Sequence, residues 1–94
     1  MVKGVILADL TDQGRRAIKE SPKRAEASKA EAAKLGIQVK DLVYTPGGPH
    51  DAAMTIEAEG PESIHKFMGS VQSLGNVKMK FVRTFSIEEM RKML

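Results

Sequence analysis

The chain contains no cysteine and no tryptophan. The first absence removes disulfides, thiolate nucleophiles and cysteine-based zinc sites together. Aromatics are only 4% of the residues, so six Met and many small aliphatics must fill the core, and Met packs adaptably into irregular space. Long apolar runs are missing as well. The most apolar stretch, Val5 to Leu10, is interrupted at Asp9, too short for a signal-peptide core and far too short to span a bilayer. A cytoplasmic protein with no membrane partner is the expectation. Repeats, linkers and low-complexity segments are also lacking, and 94 residues suffice for one domain, 1–94, because two separate cores would be too small to stabilise themselves.

Net charge is +3, which makes nucleic acid the first partner to weigh. The basic residues, however, alternate with acids, as in KRAEASKAEAAK at 23–34. That pattern belongs to a solvated helix face and not to a phosphate-binding stripe.

Residues 2–9 read as a strand with little polar alternation, hence central and buried on both faces. Thr11 is a helix cap with Asp12 in the first turn. That helix is expected to run to about Glu20 and to restart at Ser21-Pro22, a cap followed by a proline suited to a first helical position. The second segment ends at Leu35-Gly36, and its thin apolar face of Ala25, Ala32, Ala33 and Leu35 is expected to lie close on a sheet. Residues 37–45 and 50–58 form a hairpin across PGGP. A four-residue loop sets Thr45 opposite His50 and Tyr44 opposite Asp51. The helix-covered face then holds Val39, Val43, Ala52, Met54 and Ile56, and the open face holds Leu42, Tyr44, Asp51, Ala53 and Glu57. A second helix opens at Gly60-Pro61 with a core stripe of Ile64, Phe67, Met68, Val71 and Leu74. Residues 77–85 are the last strand, and Ser86 with Glu89 forms the capping box of a short terminal helix.

The order β-α-β-β-α-β predicts an α+β, ferredoxin-like fold: a four-stranded antiparallel sheet, two helices on one face and a short C-terminal helix. The other face mixes apolar and polar groups, which points to a homo-oligomer that packs two such faces together.

Four segments, LTDQG (10–14), ESPKRAEA (20–27), YTPGGPHD (44–51) and SLGNV (73–77), together resemble the GYD-domain family. The resemblance implies a dimeric α/β barrel of ferredoxin-like form and no particular reaction. At the family's Gly-x-Tyr-Asp position this chain reads Gly48, Pro49, His50 and Asp51. His50 therefore stands where the motif has tyrosine. The acidic stretch EAEGPE at 57–62 is a second departure.

The residues expected to carry a ligand site are Tyr44, His50, Asp51 and Arg83. His50 and Asp51 are neighbours on a strand and point to opposite faces, so they form no dyad with each other. The plainer reading makes Asp51 an acceptor for loop amides and leaves His50 at the rim. Tyr44 and Asp51, expected to be opposed, would frame the mouth of a cavity, or else form an ordinary cross-strand pair. Arg83, between Phe81 and Phe85, is either an anion clamp or a strand-end arginine reaching for an acid. His65 reads as a surface histidine, and neither histidine has metal-ligand spacing. No metal and no cofactor is expected. PGGP lacks the helix and Lys-Ser/Thr of a phosphate loop, and there is no nucleophile elbow. The first and third strands contain no aromatic on which to stack RNA bases.

Three functions remain. The first is binding of a small molecule in a cavity on the open sheet face of a homo-oligomer. The second is a non-catalytic oligomeric or partner-binding module, with the tail helix as a clasp. The third is a cofactor-free enzyme of the dimeric α/β-barrel type.

Overall fold

The computed structural model describes residues 1–94, all of them. Strand β1 (Val2–Leu10) leads into a short helix α1 (Asp12–Arg16), which Thr11 caps by accepting the Gly14 amide at 3.1 Å. The helix expected to reach Glu20 breaks at Ala17 instead, and Ile18–Glu20 form a single 3-10 turn. The carbonyls freed by the break are taken by Arg24, whose guanidinium donates to Ala17 O at 3.1 Å and Gly14 O at 3.5 Å. Helix α2 (Ser21–Lys34) carries Pro22 in its first turn. It ends in a Schellman motif: Ile37 N donates to Ala32 O, Gly36 N to Ala33 O, and Gly36 takes φ 77°.

Then follow β2 (Gln38–Tyr44), β3 (Ala52–Ala58), α3 (Pro61–Gln72), β4 (Val77–Arg83) and α4 (Ile87–Met93). The sheet order is β2-β3-β1-β4, every pair antiparallel. This is the expected ferredoxin-like arrangement, with β1 and β3 central. Ile6, Ile56, Ile64 and Phe67 are fully buried and, with Met54, Ile37 and Ala32, form the core between the sheet and its helices. The shortest dimension is 17 Å, enough for one sheet and one helical layer, so the second face of the sheet has no cover. No helix is long and apolar enough to cross a membrane.

The hairpin register differs from expectation. Thr45 and Pro46 open a type II turn, in which Gly47 at φ 82° accepts the left-handed position and Gly48 N bonds Thr45 O at 3.0 Å. Two more residues follow before the strands close, and Thr45 N bonds Asp51 O at 2.9 Å. Tyr44 therefore pairs with Ala52, Val43 with Ala53 and Leu42 with Met54. The one-residue offset is absorbed at a bulge, Lys40 lying between the pairs Val39–Ile56 and Asp41–Thr55. Below the bulge the expected pairing holds. Above it every side chain changes face. Leu42 and Tyr44 thus lie on the helix-covered side, and Val43 is on the open side, 42% exposed.

Helix α4 has the capping box read from Ser86 and Glu89: Glu89 N donates to the Ser86 hydroxyl at 3.0 Å and Ser86 N to the Glu89 carboxylate at 2.8 Å. That amide bond, the largest influence, outweighs the opposing effect of desolvation and, with the Ser86 hydroxyl and the nearby charge of Lys3, holds the Glu89 carboxyl below the usual carboxylate range. A lowered folded value means that the box favours folding above the ordinary carboxylate range and stops doing so as pH falls through the Glu89 value. Acidification is therefore expected to fray α4 before the sheet is lost. Amide exchange of residues 87–93 measured down the pH scale checks this; exchange that stays slow in α4 until the sheet unfolds contradicts it.

Candidate functional site

One end of the sheet gathers most of the polar side chains with defined partners. The corner between β1 and α1 docks on the loop between α3 and β4. Thr11 N donates to Asn76 O at 3.0 Å, and the Thr11 hydroxyl donates to Gly75 O at 2.6 Å. The Gln13 amide reaches Leu74 O and Asn76 Oδ1, both at 3.1 Å. Gly14 is buried against the Asn76 carbonyl, and a Cβ there would run into it.

Across β1, Asp51 extends the sheet with its side chain. Its amide donates to Ala8 O at 3.0 Å, and its Oδ2 accepts the Leu10 amide at 2.8 Å. The Arg15 guanidinium lies 3.3 Å from the same oxygen. Asp51 is thus an acceptor for a main-chain amide, supplied by β1 and not by its own loop. Tyr44, turned to the helix side by the bulge, bonds the Ser21 hydroxyl at 2.8 Å. Ser21 opens α2 and is 9% exposed, while Tyr44 is half exposed, so this bond ties the hairpin to the helix at the rim of the covered face.

These contacts frame a half-enclosed cleft of about 290 Å³ between α2, α3 and the sheet. Its floor is Ala8, Leu42, Ala52 and Met54, and its walls include Ala25 and Ser28 of α2 and Val71 of α3. The small side chains explain the hollow. Ala32 is fully buried, as the thin alanine face of α2 suggested, and Ala33 is exposed. One turn and two turns earlier, Ser28 and Ala25 line the cleft together with Ala8 and Ala52 of the sheet, and these small side chains leave the gap open. Tyr44, Asp51, Arg24 and Asn76 stand around the apolar hollow. Hydrogen-bonding groups placed around an apolar pocket can orient a small molecule while the pocket removes its surface from water.

The four sequence-predicted residues do not converge. Tyr44 and Asp51 both line the cleft, on the helix-covered side and not on the open face, and each bonds another partner. His50 turns away to Asp9, its Nδ1 3.2 Å from both carboxylate oxygens. Arg83 is at the far end of β4, paired with Gly4, exposed, and stacked 5.2 Å over the Phe85 ring. Four strand residues, about 13 Å, separate it from the cleft end of β1. Ser21, Arg24 and Asp9 escaped the reading of the sequence. Ser21, Arg24 and Ser28 do recur at helical spacing along the alanine face of α2, and Asp9 is the one acid in a mostly apolar central strand.

Segments 10–14, 20–27, 44–51 and 73–77, distant in sequence, meet at this end of the sheet through the bonds just described. The family model of the GYD domain matches residues 5–94. The chain belongs to the GYD domain family. A search of the curated proteins gives no match. His50, which the resemblance sets against the tyrosine of the naming motif, faces Asp9 instead of the cleft in this GYD domain.

Gly14→Ala is expected to lower stability by about 1–3 kcal/mol, because the corner must move off Asn76 to admit a methyl group. Gly69→Ala, in α3 with open space around it, is expected to stabilise by up to ~1 kcal/mol. Urea denaturation of the two variants checks the contrast. Equal effects would show that the corner is not tightly docked.

Proposed function

We propose that this GYD domain binds a small, largely apolar molecule in the cleft between α2, α3 and the sheet. The observation that supports this is the hollow itself: about 290 Å³ with an apolar floor and a polar rim. Protein interiors are close-packed, and a lining with no atoms opposite it forfeits dispersion contacts. Larger side chains at Ala25 or Ala52 would recover them. A volume at the lower end of the usual ~300–1,000 Å³ suits a small metabolite and not a dinucleotide. Tyr44 and Asp51 are the polar groups assigned to orient it.

Ala25→Leu, which fills part of the cleft from the α2 side, is expected to keep the fold and abolish ligand-dependent thermal stabilisation in a metabolite panel. A compound that stabilises the wild type and Ala25→Leu equally contradicts the reading, as does a panel with no stabilising compound.

A second reading concerns the uncovered face. Val5, Leu7 and Ala53 lie there beside Val43 and Val82, which are 42% and 43% exposed. We infer that a second copy of the chain covers this patch, two sheets packing face to face into the barrel that the family resemblance implies. Light scattering is then expected to give a multiple of 10.3 kDa for the wild type and the single-chain mass for Val82→Glu. A wild type that runs as a single chain at tens of micromolar contradicts it.

A further inference from the structure

His50 is held in place more firmly than a turn residue needs. The Thr45 hydroxyl donates to its carbonyl at 2.6 Å, and the next amide, Asp51 N, donates to Ala8 O at 3.0 Å. Its ring nitrogen Nδ1 is 3.2 Å from each oxygen of Asp9. A carboxylate only accepts, so the neutral ring carries its proton on Nδ1 and leaves Nε2 as a free base. Nε2 has no partner in the chain, and no buried side-chain nitrogen lacks one, so Nε2 faces solvent. The surroundings come from the register. Asp9 is opposite Lys78, and Leu7, two residues along the same face, is opposite Lys80 on one side and Ala53 on the other. A base oriented by a carboxylate therefore stands at the end of an apolar shelf, and the register puts two lysines, Lys78 and Lys80, on the neighbouring strand of that face. The cleft is on the other side of the sheet, and nothing here depends on its being occupied.

We propose that Asp9 and His50 form a proton-transfer centre on the open face, acting on small carbonyl compounds that carry a carboxylate. His50 is the catalytic residue and Asp9 its positioning residue. Nε2 takes a proton from the carbon next to the carbonyl, and the electron pair of that C–H bond moves through the new C=C bond to the carbonyl oxygen. The resulting imidazolium is stabilised by Asp9, as in other carboxylate–imidazole pairs. The enolate oxygen and the substrate carboxylate are anionic, and Lys78 and Lys80 supply the opposite charge. Return of the proton from Nε2 to carbon completes the cycle with no oxidant, reductant or second substrate. The pair is at the end of the sheet, so a second copy seated over Val5 and Val82 leaves it at the mouth of the covered space.

The test has two arms. In D2O, the C3 protons of 2-oxobutanoate are followed by proton NMR with the full-length protein. Exchange is expected to exceed that with the same concentration of free imidazole by about 100-fold or more, the scale of positioned general-base catalysis. His50→Gln should return it to the imidazole level, Asp9→Asn should lower it at least tenfold, and Asp9→Glu should restore part of the loss. His65→Gln, on the exposed side of α3, should leave it unchanged. Exchange no faster than with imidazole, or equally fast in His50→Gln, overturns the proposal. The second arm needs no turnover: ring nitrogen shifts are expected to show the neutral His50 proton on Nδ1 in the wild type and a mixture of tautomers in Asp9→Asn. A wild-type ring protonated mainly on Nε2 overturns it equally.

Discussion

A single extra residue in one edge strand decides what each face of this sheet presents. Without the bulge at Lys40, Leu42 and Tyr44 would project from the uncovered face and Val43 would point under the helices. The cleft would lose part of its floor, and the Tyr44–Ser21 bond that ties β2 to α2 could not form. The uncovered face would gain a bulky aromatic in place of a valine. The bulge lies near the middle of β2, far enough from the turn that the pairs from Asp41–Thr55 to Tyr44–Ala52 all take the shifted register.

The second constraint is the end of β1. Consecutive residues there serve different structures: Asp9 holds His50 on one side, Leu10 donates its amide to Asp51, and Thr11 reaches across to Gly75 and Asn76. The hairpin mirrors this, with His50 and Asp51 turned to opposite sides of the sheet. Two possible sites, one under the helices and one on the open face, are thus fixed to one rigid corner. Hydrogen bonds with partners more than forty residues apart in sequence join them. The family resemblance rests on the same four segments because these are the pieces that build the corner.

The element order was legible because its signals are local. Caps at Thr11 and Ser86, prolines 22 and 61 in first turns and glycine after α2 each act within a few residues. The hairpin register was not, because it depends on how many residues the turn consumes. The type II turn at Thr45–Gly48 leaves Pro49 and His50 unpaired. The apolar pattern of β2 gives no help: Val39, Leu42 and Val43 are compatible with either parity, and only a bulge reconciles the first two. Tyr44 and Asp51 stood out as polar groups beside the turn, yet the residues gathered with them did not, since Ser21 read as a helix cap and Arg24 as part of a solvated, charged helix face. Arg83 alternates with two phenylalanines, which suggested an apolar face, but the strand stops at Arg83 itself and the side chain turns outward over Phe85.

Ligand binding under the helices requires that the cleft be an accessible hollow. Methyl NMR of the protein under xenon pressure measures this directly, since apolar cavities take up xenon. The methyl signals of Met54, Leu42 and Val71, which line the cleft, are expected to shift and saturate together. Those of Met93 and Leu94, exposed on the tail helix, should stay in place. Unmoved signals at Met54, Leu42 and Val71, whatever happens on the tail, would contradict the cleft and the function proposed for it.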